Sequence, residues 1–159
     1  MVDLGTVSLT GDEDGFLSRQ CPSCQRVFKR PVHRIQAADS SAPYCPYCAV
    51  ANDDDWETAA QQTYYQAAMD RAAMKYVHEQ FNESMGSIQS EFLRFTPGTP
   101  DLPPDPGSPP PDPSQGFVRV DVPCHEDDPF KVAEATSGDV VCTVCGIPYP
   151  IGDVVQLGS

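Results

Sequence analysis

Six of the seven cysteines in this chain fall into three C-x-x-C pairs, Cys21/Cys24, Cys45/Cys48 and Cys142/Cys145, and the seventh, Cys124, stands beside His125. An odd count argues against a closed set of disulfides. Two thiols separated by two residues sit on one tight turn and can face a single ion, so the spacing points to metal ligation. The rest of the chain supplies the need for it. Seventeen prolines in 159 residues and a mean hydropathy of -0.37 leave little apolar surface for one large core. Modules of roughly 40 to 70 residues usually depend on a disulfide, a metal or a partner to offset chain entropy.

The chain divides by composition. Residues 1–14 carry the acidic run Asp12-Glu13-Asp14 and read as a flexible tail. A first cysteine-rich module spans 15–50, where Arg26 to Val32 alternates well enough for a strand with Val27 or Phe28 against the metal. Asp53, Asp54 and Asp55 place carboxylates where a helix dipole favours them, and residues 53–94 read as one amphipathic helix. Trp56, Ala60, Tyr64, Ala67, Met74, Val77, Phe81, Met85, Ile88 and Phe92 form its stripe, with a kink or break expected at Gly86. Residues 96–116 hold nine prolines and read as a disordered linker. Residues 117–159 open on the alternating Phe117 to Val122 and read as a second, all-β module.

Cys21-Pro22-Ser23-Cys24 and Cys45-Pro46-Tyr47-Cys48 form C-x2-C-x20-C-x2-C, four thiolates for one tetrahedral zinc ion. The run CPSCQRVFK followed by YCPYC resembles the zinc ribbon family, whose knuckles read C-P-x-C and whose first pair leads into a strand. That family commonly carries glycine after a knuckle, where this chain has Gln25 and Ala49. The order GFLSRQCPSC, YCPYC, PCH and CTVCG resembles small bacterial proteins with two ribbons, which implies no activity. Cys45-Pro46-Tyr47-Cys48 also resembles the active-site motif of glutaredoxins, but the strand-poor segment before it does not supply the βαβ scaffold of a redox site.

Cys142-Thr143-Val144-Cys145-Gly146 has the knuckle form with its glycine. Its partners upstream are Cys124 and His125, which predicts a site of three cysteines and one histidine. Two alternatives stay open: a fourth position left vacant or filled by Glu126, Asp127 or Asp128, and a degenerate ribbon without metal. A vacant position would be the one place for metal-assisted hydrolysis, which forty residues barely enclose.

The fold class expected is therefore small, metal-stabilised α+β: an N-terminal zinc ribbon continuous with a long α-helix, a proline-rich linker and a C-terminal zinc-ribbon-like module. A net charge of -13 opposes binding to a polyanion. The local exception is Arg26, Lys29, Arg30 and Arg34, which offers a nucleic-acid surface or a solvated face that offsets thiolate charge. No run of apolar residues is long enough to span a bilayer, and paired thiols fit a cytoplasmic, reducing setting. The function expected is a non-enzymatic zinc protein with two ions per chain that binds an unidentified protein, or a second copy, through helix 56–93. A nucleic-acid accessory factor is the alternative and thiol redox catalysis the third.

Overall fold

A computed structural model describes residues 8–36, 43–52, 56–88, 92 and 94–156. The three aspartates proposed as helix caps, Asp53 to Asp55, lie outside the described residues, as does the first half of the expected tail, residues 1–7. The chain forms two compact units, one of residues 1–8 and 60–109, the other of 9–59 and 110–159.

The second unit holds both cysteine clusters. Its strands are β1 (Phe16–Gln20), β2 (Val27–Pro31), β3 (Phe117–Val120), β4 (Phe130–Ala133), β5 (Asp139–Val141), β6 (Pro148–Pro150) and β7 (Val155–Gln156), with the one-turn helices α1 (Val32–Ile35) and α3 (Ile151–Val154). The long helix α2 (Ala59–Gly86) lies in sequence between α1 and β3, and so the one-turn helix before β7 is α3. Five strands make one antiparallel sheet in the order β1-β2-β4-β3-β7, and β5 pairs with β6. The expected element classes are all present. The joining was not expected: the two ribbons read as separate modules share this sheet, because β2 pairs with β4 at Lys29 opposite Lys131.

The two halves repeat each other about that pairing. Gly15 and Gly116 both adopt positive φ, 78° and 82°, the left-handed region glycine enters without a Cβ clash. Their carbonyls accept from Val32 N–H and Glu134 N–H, each at 3.0 Å. Lys29 Nζ lies 5.0 Å from the Phe117 ring centre, and Lys131 Nζ lies 4.7 Å from that of Phe16. Gln20 N–H donates to Trp56 O as Asp121 N–H donates to Val154 O. These exchanged pairs describe a local two-fold between β2 and β4.

Apolar residues alternate into two clusters. Val120, Val122, Phe130, Val132, Val140 and Val154 close around Cys142, and Phe28 and Trp56 close around Cys21 and Cys45. Burying aliphatic side chains of this kind contributes roughly 1.5–3 kcal/mol each. Trp56 is a correction: placed by sequence at the head of the helical stripe, it instead stacks edge-on to Phe28 at 5.6 Å and donates its indole N–H to Asn52 O at 2.9 Å. The sulfur cluster needs an aromatic wall more than the helix needs a first turn, and the helix starts at Ala59.

In the first unit, α2 runs 28 residues, about 42 Å at 1.5 Å per residue. It ends at Gly86, where a kink or break was expected, and a turn follows in which Ile88 N–H donates to Met85 O. Phe95 meets Phe81 edge-on at 5.8 Å, and Arg71 donates to Pro103 O, so the proline-rich chain makes defined contacts with the helix. Met74, Val77, Phe81 and Ile88 stay between 48% and 60% exposed.

The far end of the proline-rich segment also makes defined contacts. Asp112, in the second unit, has a side chain 2% exposed that pairs with Lys29 at 2.6 Å, and Pro113 O accepts from the same ammonium. A buried ammonium needs several acceptors, and this stretch of the proline-rich segment supplies two of them.

Candidate metal centres

Three of the four ligand pairs sit on one repeated turn. In each, the residue after the second cysteine turns left-handed: Gln25 at φ 61°, Ala49 at 59° and Gly146 at 75°. The N–H of that residue donates to the first cysteine's carbonyl, Gln25 to Cys21 at 2.9 Å, Ala49 to Cys45 at 3.0 Å and Gly146 to Cys142 at 3.0 Å. The first cysteine's own N–H donates onward to Arg26 O, Val50 O and Ile147 O. Amides inside the turn point at sulfur: Cys24 N–H to Cys21 Sγ at 3.5 Å, Tyr47 N–H to Cys45 Sγ at 3.4 Å, Val144 N–H to Cys142 Sγ at 3.4 Å. The knuckle geometry survives without glycine at two positions, and Gln25 is held there by its side-chain amide donating to Pro22 O at 2.8 Å. A left-handed L-residue costs roughly 1–2 kcal/mol, which four donors focused on one ion can outweigh.

The four atoms of each set converge. Cys21, Cys24, Cys45 and Cys48 form one group, Cys124, His125, Cys142 and Cys145 the other, with ligand atoms all within 4.8 Å of one another. Sulfurs about 2.3 Å from a tetrahedral ion stand about 3.8 Å apart. Cys21 and Cys48 sulfurs are 3.6 Å apart, Cys24 and Cys45 3.7 Å, and Cys124 and Cys145 3.5 Å. His125 presents Nδ1 to Cys142 Sγ at 3.5 Å, the atom a side chain directly after a ligand cysteine can swing inward. Asp128, one of the alternatives for the fourth position, instead turns to Arg30 at 3.4 Å.

Electrostatics within the clusters suits a cation. Burial pushes the Cys45 thiol up, and it pushes Cys142 up to about 12. Cys21 is also raised by burial, but the N–H groups of Cys24 and Ser23 and the neighbouring thiols outweigh this and leave it lowered. A hydrogen bond to Cys124 holds the Tyr149 phenol up at about 12. Thiols this close cannot all ionise beside one another unless a cation offsets their charge, and each group of four donors could hold one.

The two centres are tied together through their knuckles. Tyr44 N–H donates to Thr143 O and Val141 N–H donates to Pro46 O, both at 2.9 Å. The Tyr47 hydroxyl donates to Val27 O at 2.7 Å and accepts from Ala133 N–H at 3.0 Å, while its ring packs on both apolar clusters. Sequence reasoning missed Tyr47, which it met only as the middle of a glutaredoxin-like motif. Cys45 of that motif is fully buried, and the sheet of the described residues is antiparallel throughout, unlike a βαβ redox scaffold.

The basic residues between the first two knuckles do not form an open face. Lys29 is fully buried between Asp12 and Asp112, and Arg30 is buried against Asp128. Arg34 donates to Asp127 O, and Arg26 lies over the Tyr47 ring at 3.5 Å. Lys29 and Arg30 are neighbours on β2 and point to opposite faces, yet both are buried, each against carboxylates distant in sequence.

No family model matches this chain, and no curated protein or solved structure is significantly similar to it.

Proposed function

We propose that this chain is a zinc-binding protein-interaction or scaffolding protein with two structural zinc ions, one on Cys21, Cys24, Cys45 and Cys48, the other on Cys124, His125, Cys142 and Cys145. The observation that carries the reading is the sulfur spacing of 3.5–3.7 Å in two four-donor groups, which suits tetrahedral thiolate coordination. Soft sulfur donors in tetrahedral array favour zinc over magnesium or calcium. With a fourth donor from His125, neither site keeps a position for substrate water, as a catalytic zinc does. The unpaired thiols fit a cytoplasmic setting.

Protein binding is supported by the apolar residues exposed along α2. The nucleic-acid alternative loses its main support with Lys29 and Arg30 buried and ion-paired. No helix of the described residues is long and apolar enough to cross a membrane. The test is elemental analysis of protein purified without added metal, followed by cobalt exchange. Two zinc per chain, and cobalt spectra of a four-sulfur and a three-sulfur site, are expected. Zero or one metal per chain overturns the assignment.

A further inference from the structure

The local two-fold exposes one place where the halves differ in a way that has chemical content. In the C-terminal half, the chain leaves Val154, whose carbonyl accepts from Asp121 N–H, and continues as β7 along the outer edge of β3, pairing Arg119 with Gln156. In the N-terminal half, the equivalent carbonyl of Trp56 accepts from Gln20 N–H, but the chain then departs as α2 at Ala59. Ser18 is the counterpart of Arg119. Its amide donates not to a strand but to Asp112 Oδ2 at 2.6 Å, and its hydroxyl donates to Asp112 Oδ1 at 2.8 Å. Lys29 Nζ lies 2.6 Å from the same Oδ1 and also donates to Pro113 O.

We propose that the outer edge of β1 is a docking site for an extended peptide bearing an aspartate followed by proline, and that Asp112 and Pro113 occupy it in cis. The proposal deepens the protein-binding reading by naming a surface and the chemistry of its ligand. Three donors converge on one carboxylate, two from the Ser18 backbone and side chain and one from a fully buried ammonium. Charge-assisted bonds of this type are the strong ones and select an anion over an amide. On either side of Ser18 the edge is already bonded within the chain, Phe16 N–H to Asp12 Oδ1 and Gln20 N–H to Trp56 O, so the ligand is held chiefly by its carboxylate at Ser18.

The cis occupant is suited to release. It belongs to a segment with nine prolines between residues 97 and 116, whose Asp112 carboxylate meets Ser18 and Lys29 and whose Pro113 carbonyl accepts from Lys29. A tethered ligand competes at an effective concentration on the order of millimolar, so a free peptide is excluded until the tether is removed or outnumbered. The other charges at the site are accounted for: Asp12 Oδ2 faces both Lys29 and Lys131, and Asp14 faces Lys131.

The test uses the full chain loaded with metal and a synthetic peptide, acetylated and amidated, of the sequence from Pro111 to Gly116. Wild type, Asp112→Ala and Asp112→Asn are titrated with it, following the Ser18 amide by NMR. The peptide is expected to bind Asp112→Ala at least about tenfold more tightly than wild type. A peptide with asparagine in place of its aspartate is expected to bind at least tenfold more weakly. Absence of binding to both variants, with two metals retained, sinks the docking site and leaves the scaffold reading standing. Equal binding of the two peptides also overturns it. Loss of metal and fold in both variants overturns it too, because a displaceable latch is dispensable for folding.

Discussion

The Tyr47 hydroxyl accepts the amide of Ala133 at 3.0 Å across the seam between the two ribbons, and the same hydroxyl donates to Val27 O at 2.7 Å. Tyr47 belongs to the second knuckle of the first centre, Ala133 to the last residue of β4 beneath the second. Tyr47→Phe keeps the ring and leaves a buried N–H and C=O without this partner. We expect a loss of about 1–3 kcal/mol by urea unfolding at saturating zinc, with metal content unchanged. A variant as stable as wild type would show that the seam holds without it.

The centres share knuckle-to-knuckle hydrogen bonds, Tyr44 to Thr143 and Val141 to Pro46, so metal binding at one is expected to support the other. Cys24→Ser should reduce the first site and also weaken cobalt affinity at the second by about tenfold, a coupling of ordinary size. Independent titration of the second site at wild-type affinity would show the two to be uncoupled.

Chelation is expected to unfold the second unit as a whole, since Cys21 and Cys45 lie in one apolar cluster and Cys142 in the other. Dispersion in the amide NMR spectrum should collapse on adding a strong zinc chelator and return with zinc. Retention of dispersion in the stripped protein would refute a structural role for the metal.

Two of the three left-handed knuckle positions, Gly146 and Ala49, predict opposite responses. Gly146 has φ 75°, and a Cβ there would stand 3.0 Å from the Tyr44 ring. Gly146→Ala should cost about 1–2 kcal/mol or more. Ala49→Gly removes comparable strain while adding about 0.4–1 kcal/mol of unfolded-state freedom, so it should be neutral or slightly stabilising. Thermal unfolding at fixed zinc separates them, and a destabilised Ala49→Gly would contradict the strain argument.

Asp12 and Lys131 give stability opposite pH limits. Burial raises Asp12, but hydrogen bonds from Lys29, the Phe16 amide and Lys131 outweigh it and leave it lowered. Burial lowers Lys131, but hydrogen bonds to Asp14 and Asp12 outweigh it and leave it raised. A lowered carboxylate contributes fully above its unfolded value near 3.8 and loses that contribution as pH falls through its folded value. A raised amine contributes fully below its unfolded value of 10.5 and loses it as pH rises through its folded value. Lys131→Met should therefore trail wild type by a constant margin from neutral pH to about 10.5, and the margin should narrow above. A margin that stays constant into stronger alkali would mean that Lys131 acts through packing and not charge.

The sequence by itself determined the ligands' grouping, the turns that carry them, the long helix and the poverty of apolar residues that makes metal useful. Those are local properties: a C-x-x-C spacing brings two sulfurs together whatever lies around it, and helical periodicity needs only neighbours three and four residues away. The internal repeat was also written there, as Gly15-Phe16 before Phe28-Lys29 and Gly116-Phe117 before Phe130-Lys131, though the second copy has one residue more between these dipeptides and five fewer before its next C-x-x-C pair, which hides the repeat from the cysteine spacing. Only the tertiary structure decided that the two copies pair through β2 and β4, that Trp56 leaves the helix for the sulfur wall, and that Asp12 and Asp112 bury Lys29, read as part of a basic face. Pairing of strands and neutralisation of buried charge depend on groups far apart in sequence, such as Asp12 and Lys131, 119 residues apart, and no local pattern encodes which distant carboxylate a lysine will meet.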